Sequence, residues 1–274
     1  MSIPRAAVIG WPIEHSKSPK LHGYWLQTYG IDGDYTKIAT PPEDFDATVK
    51  DMIAKGFRGA NVTIPHKEAA LALADIVTPR AEAIGASNTL IFGPDGVTAD
   101  NTDGFGFIEN LRDRAGDDWN PHAPAVVFGA GGASRAILHA LLDAGAPEIR
   151  LLNRTKSRAE TLAAEFGPRI KVMDWDEKDS ALPGAGLLVN TTSLGMAGQP
   201  PLTLDLTQAD KTAVATDIVY TPLITPFLEA AAAAGLLTVD GLGMLIHQGR
   251  PGFEAWFGAA PTATPELREL LLNS

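Results

Sequence analysis

An apolar tetrapeptide, Ala125-Val126-Val127-Phe128, runs directly into Gly129-Ala130-Gly131-Gly132-Ala133-Ser134 and then into a helix-forming stretch that stops at Gly145. Few local patterns restrict a fold as tightly. Four successive apolar residues read as a strand. The first glycine permits a tight turn, and the second lets the backbone approach a pyrophosphate. The start of the following helix offers unpaired N–H groups to the anion. A glycine-rich string alone is weak, but the preceding strand and following helix supply the context the motif requires. The order predicts a Rossmann-type dinucleotide site. One position departs from the generic fingerprint, where Gly or Ala is sixth: here it is Ser134.

The next strand selects the dinucleotide. NAD enzymes place an Asp or Glu about 20 residues beyond the glycines, to accept a hydrogen bond from the ribose 2′-hydroxyl. The strand Glu148–Leu152 ends instead in Asn153-Arg154-Thr155-Lys156-Ser157-Arg158, with three cations and no carboxylate. Those cations gather in a chain of net charge −11. Their position at a helix start opposes the helix dipole and calls for another reason. Arg154 is placed to grip a 2′-phosphate through its planar fork, with Arg158 joining from the first helical turn. NADP is therefore the expected cofactor.

Strand-like and helix-like segments alternate along the rest of the 274 residues. Ala6–Gly10, Tyr35–Ala39, Ala60–Ile64 and Thr89–Phe92 read as strands, with a short extended run at Val97–Ala99. Pro19–Tyr29, Glu43–Lys55 and Pro65–Ala74 read as the helices between them. A Gly, Asp, Asn and Pro-rich break at Ala115–Pro124 precedes the second round. That round continues with Thr155–Phe166 as a helix, Ser157 and Glu160 spaced for a capping box, and strands at Ile170–Met173, Leu187–Asn190, Ala213–Val219 and Leu236–Val239. The tail reads as two helices, Met244–Trp256 and one begun by Thr264 and Pro265. The fold class is α/β, built from βαβ units in two domains with mostly parallel sheets. The acidic balance disfavours nucleic acid, and no apolar run is long enough to span a bilayer. The chain has no cysteine. It also starts without a signal-like segment, so a cytoplasmic protein is expected.

Three polar clusters in the first half lie at strand ends or loop starts, where open α/β sheets bind ligands. They are His15-Ser16-Lys17-Ser18-Pro19, Asn61-Val62-Thr63-Ile64-Pro65-His66-Lys67, and Asn88-Thr89 with Asn101-Thr102-Asp103-Gly104. Hydroxyls and amides with one ammonium and one carboxylate suit a small polyhydroxylated ligand. Singly, each has a bland reading: Ser18 or Thr63 as a cap, Asn88 as a turn residue, Asp103 as the cap of a helix starting at Gly104, Lys67 as a solvated lysine. His22 reads as an ordinary helix residue. Six histidines are scattered without ligand spacing, so no metal is expected. There is no Gly-x-Ser-x-Gly elbow to suggest a serine hydrolase.

These clusters, together with Gly85-Ala86-Ser87-Asn88-Thr89, Gly129–Ala133, Asn153-Arg154-Thr155, Asn190–Met196, Asp217–Tyr220, Asp240–Leu245 and Gln248, resemble the shikimate dehydrogenase family in order and spacing over almost the whole chain. The resemblance implies NADPH-linked, reversible reduction of 3-dehydroshikimate to shikimate, a step of chorismate and aromatic amino-acid biosynthesis. It implies Lys67 as the proton-transfer residue and Asp103 as its carboxylate partner. Ser16, Ser18, Asn61, Thr63, Asn88, Tyr220 and Gln248 fall at substrate-contacting positions, and Ile218, Gly241 and Met244 at the nicotinamide end. The cofactor set is Gly129, Ala130, Gly131, Gly132, Ala133 and Asn153 to Arg158. It further implies a substrate domain of residues 1–102 completed by C-terminal helices 241–274, a Rossmann domain of 103–240, and an active site in the cleft between them. The expected assembly is a monomer or homodimer. Three positions depart from the family's habit: His66 for an aromatic residue, Gly23 for Asn and Ser87 for Val. The alternatives are a quinate/shikimate dehydrogenase and a non-catalytic regulatory protein that keeps the pocket.

Overall fold

The computed structural model describes residues 3–273 and divides by compactness into two units. One runs to Asp103 and resumes at Ile246; the other spans Gly104–Leu245.

In the first unit the elements run β1 (Arg5–Gly10), α1 (Ser18–Thr28), β2 (Asp34–Ala39), α2 (Phe45–Ala54), β3 (Gly59–Val62), α3 (Lys67–Leu73), β4 (Ile76–Val77), α4 (Pro79–Ile84), β5 (Thr89–Gly93) and β6 (Gly96–Asp100). They form a six-stranded sheet in the order β2-β1-β3-β5-β6-β4. All neighbours are parallel except β5, which runs against both β3 and β6. That reversal matters for the site. Because β5 is inverted, its first residue, Thr89, lies at the same sheet edge as the last residues of β3 and β6, with Thr89 opposite Asn61 and Asp100. The turn residues of all three strands therefore crowd one edge. Ile9, Phe45, Val49, Met52, Val62 and Leu90 pack the core beneath.

The second unit begins within α5 (Asp103–Ala115) and continues β7 (Ala125–Phe128), α6 (Gly132–Ala144), β8 (Ile149–Leu152), α7 (Lys156–Phe166), β9 (Ile170–Met173), β10 (Leu187–Asn190), β11 (Val214–Asp217), α8 (Pro226–Ala233) and β12 (Leu237–Val239). Its sheet is wholly parallel, in the order β12-β11-β10-β7-β8-β9. This is the doubly wound Rossmann order, with its switch point between β7 and β10. The apolar run that opened the sequence reading is explained by its two neighbours. Ala125 and Val127 pack with Ile137 and Leu141 on one face, whereas Val126 and Phe128 pack with Leu188 and Phe227 on the other.

The chain ends in α9 (Leu242–Phe257), which crosses the boundary after its first turn, and α10 (Pro265–Leu272). These helices are tied to the first sheet. Trp256 Nε1 donates to the Leu90 carbonyl at 3.0 Å, Trp25 Nε1 to that of Thr262 at 3.0 Å, and Lys17 Nζ to that of Leu271 at 2.6 Å.

Several local expectations need correction. Helix α3 starts at Lys67 rather than Pro65, because Ile64-Pro65-His66 forms the turn that leaves β3. The Glu43–Lys55 helix opens as a single 3₁₀ turn at Pro42–Asp44. No capping box forms at Ser157 and Glu160: α7 already begins at Lys156, which puts Ser157 inside the helix, and its cap Thr155 makes no side-chain bond. The box occurs at Asp174 and Glu177 instead. Strand β4 and helix α4, only two and six residues long, were not anticipated.

Candidate active site

The sheet edge of the first unit carries a polar network built around Asn88. Its Nδ2 donates to Asp103 Oδ1 at 2.7 Å, while its Oδ1 accepts from the Thr102 backbone N–H at 2.9 Å and from the Thr89 hydroxyl at 2.9 Å. A longer 3.4 Å contact reaches Gln248 Oε1. The other oxygen of Asp103 accepts from Lys67 Nζ at 2.5 Å. Lys67 and Asp103 are thus an ion pair, the first residues of α3 and α5, both largely shielded but open enough to meet a ligand (29% and 13% exposed). Helix α5 begins at Asp103 itself rather than at Gly104, and each oxygen of Asp103 accepts from a side chain of the sheet edge, Oδ2 from Lys67 and Oδ1 from Asn88.

Asn61 is set from behind. The buried Tyr35 hydroxyl donates to Asn61 Oδ1 at 2.7 Å, and burial holds the phenol's pKa well above its ordinary value, so it stays a neutral donor. Asn61 Nδ2 reaches the Asn88 carbonyl and the Thr89 hydroxyl, both at 3.4 Å. Tyr35 also stacks on His22, with centroids 3.9 Å apart. His22 stands in α1 as expected and is fully buried there, and desolvation drives its pKa down to about 3, which keeps the ring neutral. Tyr35 escaped the sequence reading because its only signal was an inward-facing aromatic on an edge strand. In the loop from β1 to α1, Ser16 Oγ accepts from the N–H of Ser18, the first residue of α1, at 3.3 Å, and Ser18 itself is buried. Thr63 makes no side-chain hydrogen bond among the described residues and is left available to a ligand.

In the second unit the glycine turn lies at the switch point between β7 and β10. Gly129 has φ +113°, and a Cβ there would strike Thr191 Oγ1 at 2.6 Å, so only glycine fits. A Cβ on Gly131 or Gly132 would meet nothing, which leaves the backbone face of the turn open. Helix α6 has Gly131 as its cap with no side chain on its first N–H groups. Such uncapped donors at a helix start suit a phosphate. Ser134, the departure from the fingerprint, is buried and donates to the Gly129 carbonyl at 2.7 Å, tying the turn to its own helix. Asn153 braces it from β8, accepting from the Ala130 N–H at 3.1 Å and donating to the Thr155 carbonyl at 2.8 Å. Of the three cations, Lys156 pairs with Asp174 at 2.7 Å. Arg154 and Arg158 are exposed and form no ion pair among the described residues. An open glycine turn, an uncapped helix start and two unpaired guanidiniums fit a dinucleotide with an added phosphate.

Further along the same unit, Gly241 packs so closely on Ile218 and Val219 that a Cβ would overlap their backbone. Asp217 supports this segment: it accepts from the Val219 N–H at 2.9 Å, from Thr225 Oγ1 at 2.7 Å and from Asn190 Nδ2 at 3.0 Å. Burial raises its pKa despite these donors. Tyr220, partly buried, has its phenol pKa raised for the same reason.

The two halves of the chain match two family descriptions: residues 8–90 match the shikimate dehydrogenase substrate binding domain, and residues 115–242 match shikimate / quinate 5-dehydrogenase. A shikimate dehydrogenase (NADP(+)) of Paracoccus denitrificans is 54% identical over 271 residues, 98% of this chain and 96% of that protein. The chain belongs to the shikimate dehydrogenase family. A crystal structure of the Thermus thermophilus shikimate 5-dehydrogenase, in complex with NADP(H) and shikimate, covers 99% of both chains at 38% identity and a TM-score of 0.88. The quinate dehydrogenase of Corynebacterium glutamicum, in complex with NAD, superposes at 0.92 with 29% identity, again over 99% of each chain.

Within this family member, the first unit gathers Lys67, Asn88, Asp103 and Gln248 into one connected network with Asn61 beside them. The habits that the chain breaks are absorbed locally. Ser87 is fully buried and its hydroxyl serves the carbonyls of Thr89 (3.0 Å) and Asp100 (2.9 Å), so a polar side chain replaces an apolar one at no cost in unpaired groups. His66 keeps the aromatic role by stacking on Phe45 at 4.7 Å, and adds a 2.7 Å bond to the Thr40 carbonyl. Gly23 faces open space on α1.

Proposed function

We propose that this chain is an NADP-dependent shikimate dehydrogenase, catalysing the reversible reduction of 3-dehydroshikimate to shikimate in the biosynthesis of chorismate and the aromatic amino acids. The observation that carries the mechanism is the Lys67–Asp103 pair at 2.5 Å, held by Asn88 among hydroxyls and amides. Lys67, as the ammonium, gives a proton to the ketone oxygen, and in reverse the neutral amine removes it from the hydroxyl. Asp103 keeps that ammonium in place and accepts a hydrogen bond from a ring hydroxyl. Ser16, Ser18, Asn61, Thr63, Asn88, Tyr220 and Gln248 bind the remaining oxygens of the substrate. NADPH, when bound, supplies the hydride. Its pyrophosphate is assigned to Gly129, Ala130, Gly131, Gly132 and Ala133, and its 2′-phosphate to Arg154 and Arg158 within the Asn153–Arg158 segment. Ile218, Gly241 and Met244 line the nicotinamide end. We place the enzyme in the cytoplasm, as a monomer or homodimer, where NADPH-driven biosynthesis takes place. No helix among the described residues is long and apolar enough to cross a membrane.

The test is a steady-state assay with 3-dehydroshikimate and NADPH, repeated with NADH, and in reverse with shikimate and with quinate. Turnover with 3-dehydroshikimate and a preference for NADPH are expected. No turnover would leave the non-catalytic reading, and a preference for NADH would remove the 2′-phosphate assignment. The likeness to a quinate dehydrogenase gives the quinate arm its purpose: quinate turnover rivalling that of shikimate would broaden the substrate class.

A further inference from the structure

Behind the Lys67–Asp103 pair lies an ion pair that the reading above does not use. Asp100, the last residue of β6, has its carboxylate almost wholly buried, and Arg80 grips it through two nitrogens: Nε donates to Oδ1 at 2.6 Å and Nη2 to Oδ2. Thr78 Oγ1 donates to the same Oδ1 at 2.8 Å while accepting from the Ala81 N–H as the cap of α4. Burial alone would raise the pKa of Asp100, but the guanidinium beside it, with Thr78 and the Asn101 N–H, holds it below the ordinary carboxylate value. Arg80 is not there to stabilise its own helix. It stands in the first turn of a six-residue helix, where the dipole disfavours a cation.

The pair reaches the proton-transfer residues in two further bonds. Asp100 Oδ1 accepts from the Asn101 N–H at 2.8 Å, and Asn101 Oδ1 accepts from the Asp103 N–H at 3.1 Å. Asn101 Nδ2 anchors the turn to the Ala86 carbonyl at 2.9 Å. The conformation of Asn101-Thr102-Asp103 is thus fixed from the Asp100 end, and the Asp103 carboxylate is presented to Lys67 by a turn that cannot rotate without breaking a buried charge-assisted bond.

We propose that Arg80 is a positioning residue for the proton-transfer pair: by clamping Asp100 it locks the Asn101–Asp103 turn and so the direction in which Asp103 meets Lys67. The inference rests on the reading of Lys67 and Asp103 given above. A fork is needed because the two carboxylate oxygens are held together; a lysine keeps the charge but reaches one oxygen at a time.

The test is a double-mutant cycle. Arg80→Lys should lower kcat about 10-fold, since displacements of an ångström in a reacting geometry cost up to about 100-fold. The Kd for NADP, measured by fluorescence titration, should stay unchanged. In the Asp103→Asn background the same substitution should cost less than about 2-fold, because Arg80 then has nothing left to aim. Thr78→Val, which removes one donor without exposing the charge, serves if Arg80→Lys does not fold; it should lower kcat by about 3-fold, with the same coupling to Asp103. A kcat equal to wild type in the folded variant, or an equal loss in both backgrounds, overturns the positioning role. A wild-type chain with no dehydrogenase turnover overturns the proposed function, and this inference with it; a turning-over wild type with an insensitive Arg80 overturns this inference alone.

Discussion

The polar edge of the first unit and the glycine turn of the second prepare for their ligands in opposite ways. At the first, side chains are already committed to one another: Asn88 alone engages Asp103, Thr102 and Thr89, and Tyr35 fixes Asn61 from the core. At the second, the prepared groups are backbone N–H donors at an uncapped helix start and two unpaired guanidiniums. The difference follows from what each must recognise. A small ring with several hydroxyls is distinguished by the directions of its hydrogen bonds, so the donors and acceptors must be fixed before it arrives. A phosphate is distinguished by charge, and exposed cations with free donors suffice.

The contrast breaks most sharply at Lys67. If the first site is a preorganised proton-transfer device, Lys67→Ala should cut kcat by about 100- to 10,000-fold. Binding of shikimate, measured by calorimetry, should weaken only several-fold because the Asn88 network survives. Turnover within a few-fold of wild type would show that the proton travels by another route. Arg154→Ala probes the other side. It should reduce kcat/KM with NADPH by about 10- to 100-fold, the worth of a charge-assisted phosphate contact, and leave kcat/KM with NADH nearly unchanged. Equal losses with both cofactors would mean that Arg154 supports the fold rather than the 2′-phosphate.

How far each region was legible in the sequence follows the same division. The second unit was readable because its chemistry is local. Strand Ala125–Phe128, the glycines and the Asn153–Arg158 segment are contiguous stretches whose geometry follows from spacing. The first unit was readable only as separate clusters. What joins them is the inversion of β5, of which the sequence shows only the Gly93-Pro94-Asp95-Gly96 turn into Val97–Ala99, and the pairing of β5 with the distant β3, together with contacts such as Tyr35–Asn61 that depend on the register of distant strands. The burial of His22 was illegible for the same reason. A histidine one turn into a helix looks solvated until Tyr35, Trp25 and Phe253 are seen around it.

That histidine makes the rigidity of the first unit measurable by pH. Its folded pKa of about 3 lies below the ordinary 6.5, so the unfolded chain takes up the proton first on acidification. Its contribution to stability is whole above pH 6.5 and is lost as the pH falls toward 3, by about 1.4 kcal/mol per pH unit. Between pH 6.5 and 5 this comes to about 2 kcal/mol, readable by urea denaturation. His22→Phe, which keeps the stacked ring without the titrating group, should flatten that slope. Asp217 in the second unit works in the other direction. Its folded pKa is raised, so its contribution is present at low pH and lost as the pH rises through the folded value.

The smallest effect is expected where the sequence departed from its own motif. Ser134 takes a place that the dinucleotide fingerprint gives to Gly or Ala for close packing of helix on strand. It meets that demand, being fully buried, and adds a hydroxyl bond to the Gly129 carbonyl at 2.7 Å. The Thr191 hydroxyl reaches the same carbonyl at 3.3 Å, so Ser134→Ala leaves that acceptor partly satisfied. The cost should be at most about 1 kcal/mol of stability, the net worth of one ordinary hydrogen bond. If the bond serves only to hold the turn, NADPH affinity should fall about 2- to 3-fold, with kcat and shikimate KM unmoved. A loss of affinity as large as that of Arg154→Ala would mean that the turn needs side-chain bracing as much as the first unit does. The contrast between a site fixed by side chains and one made of open backbone would then no longer hold.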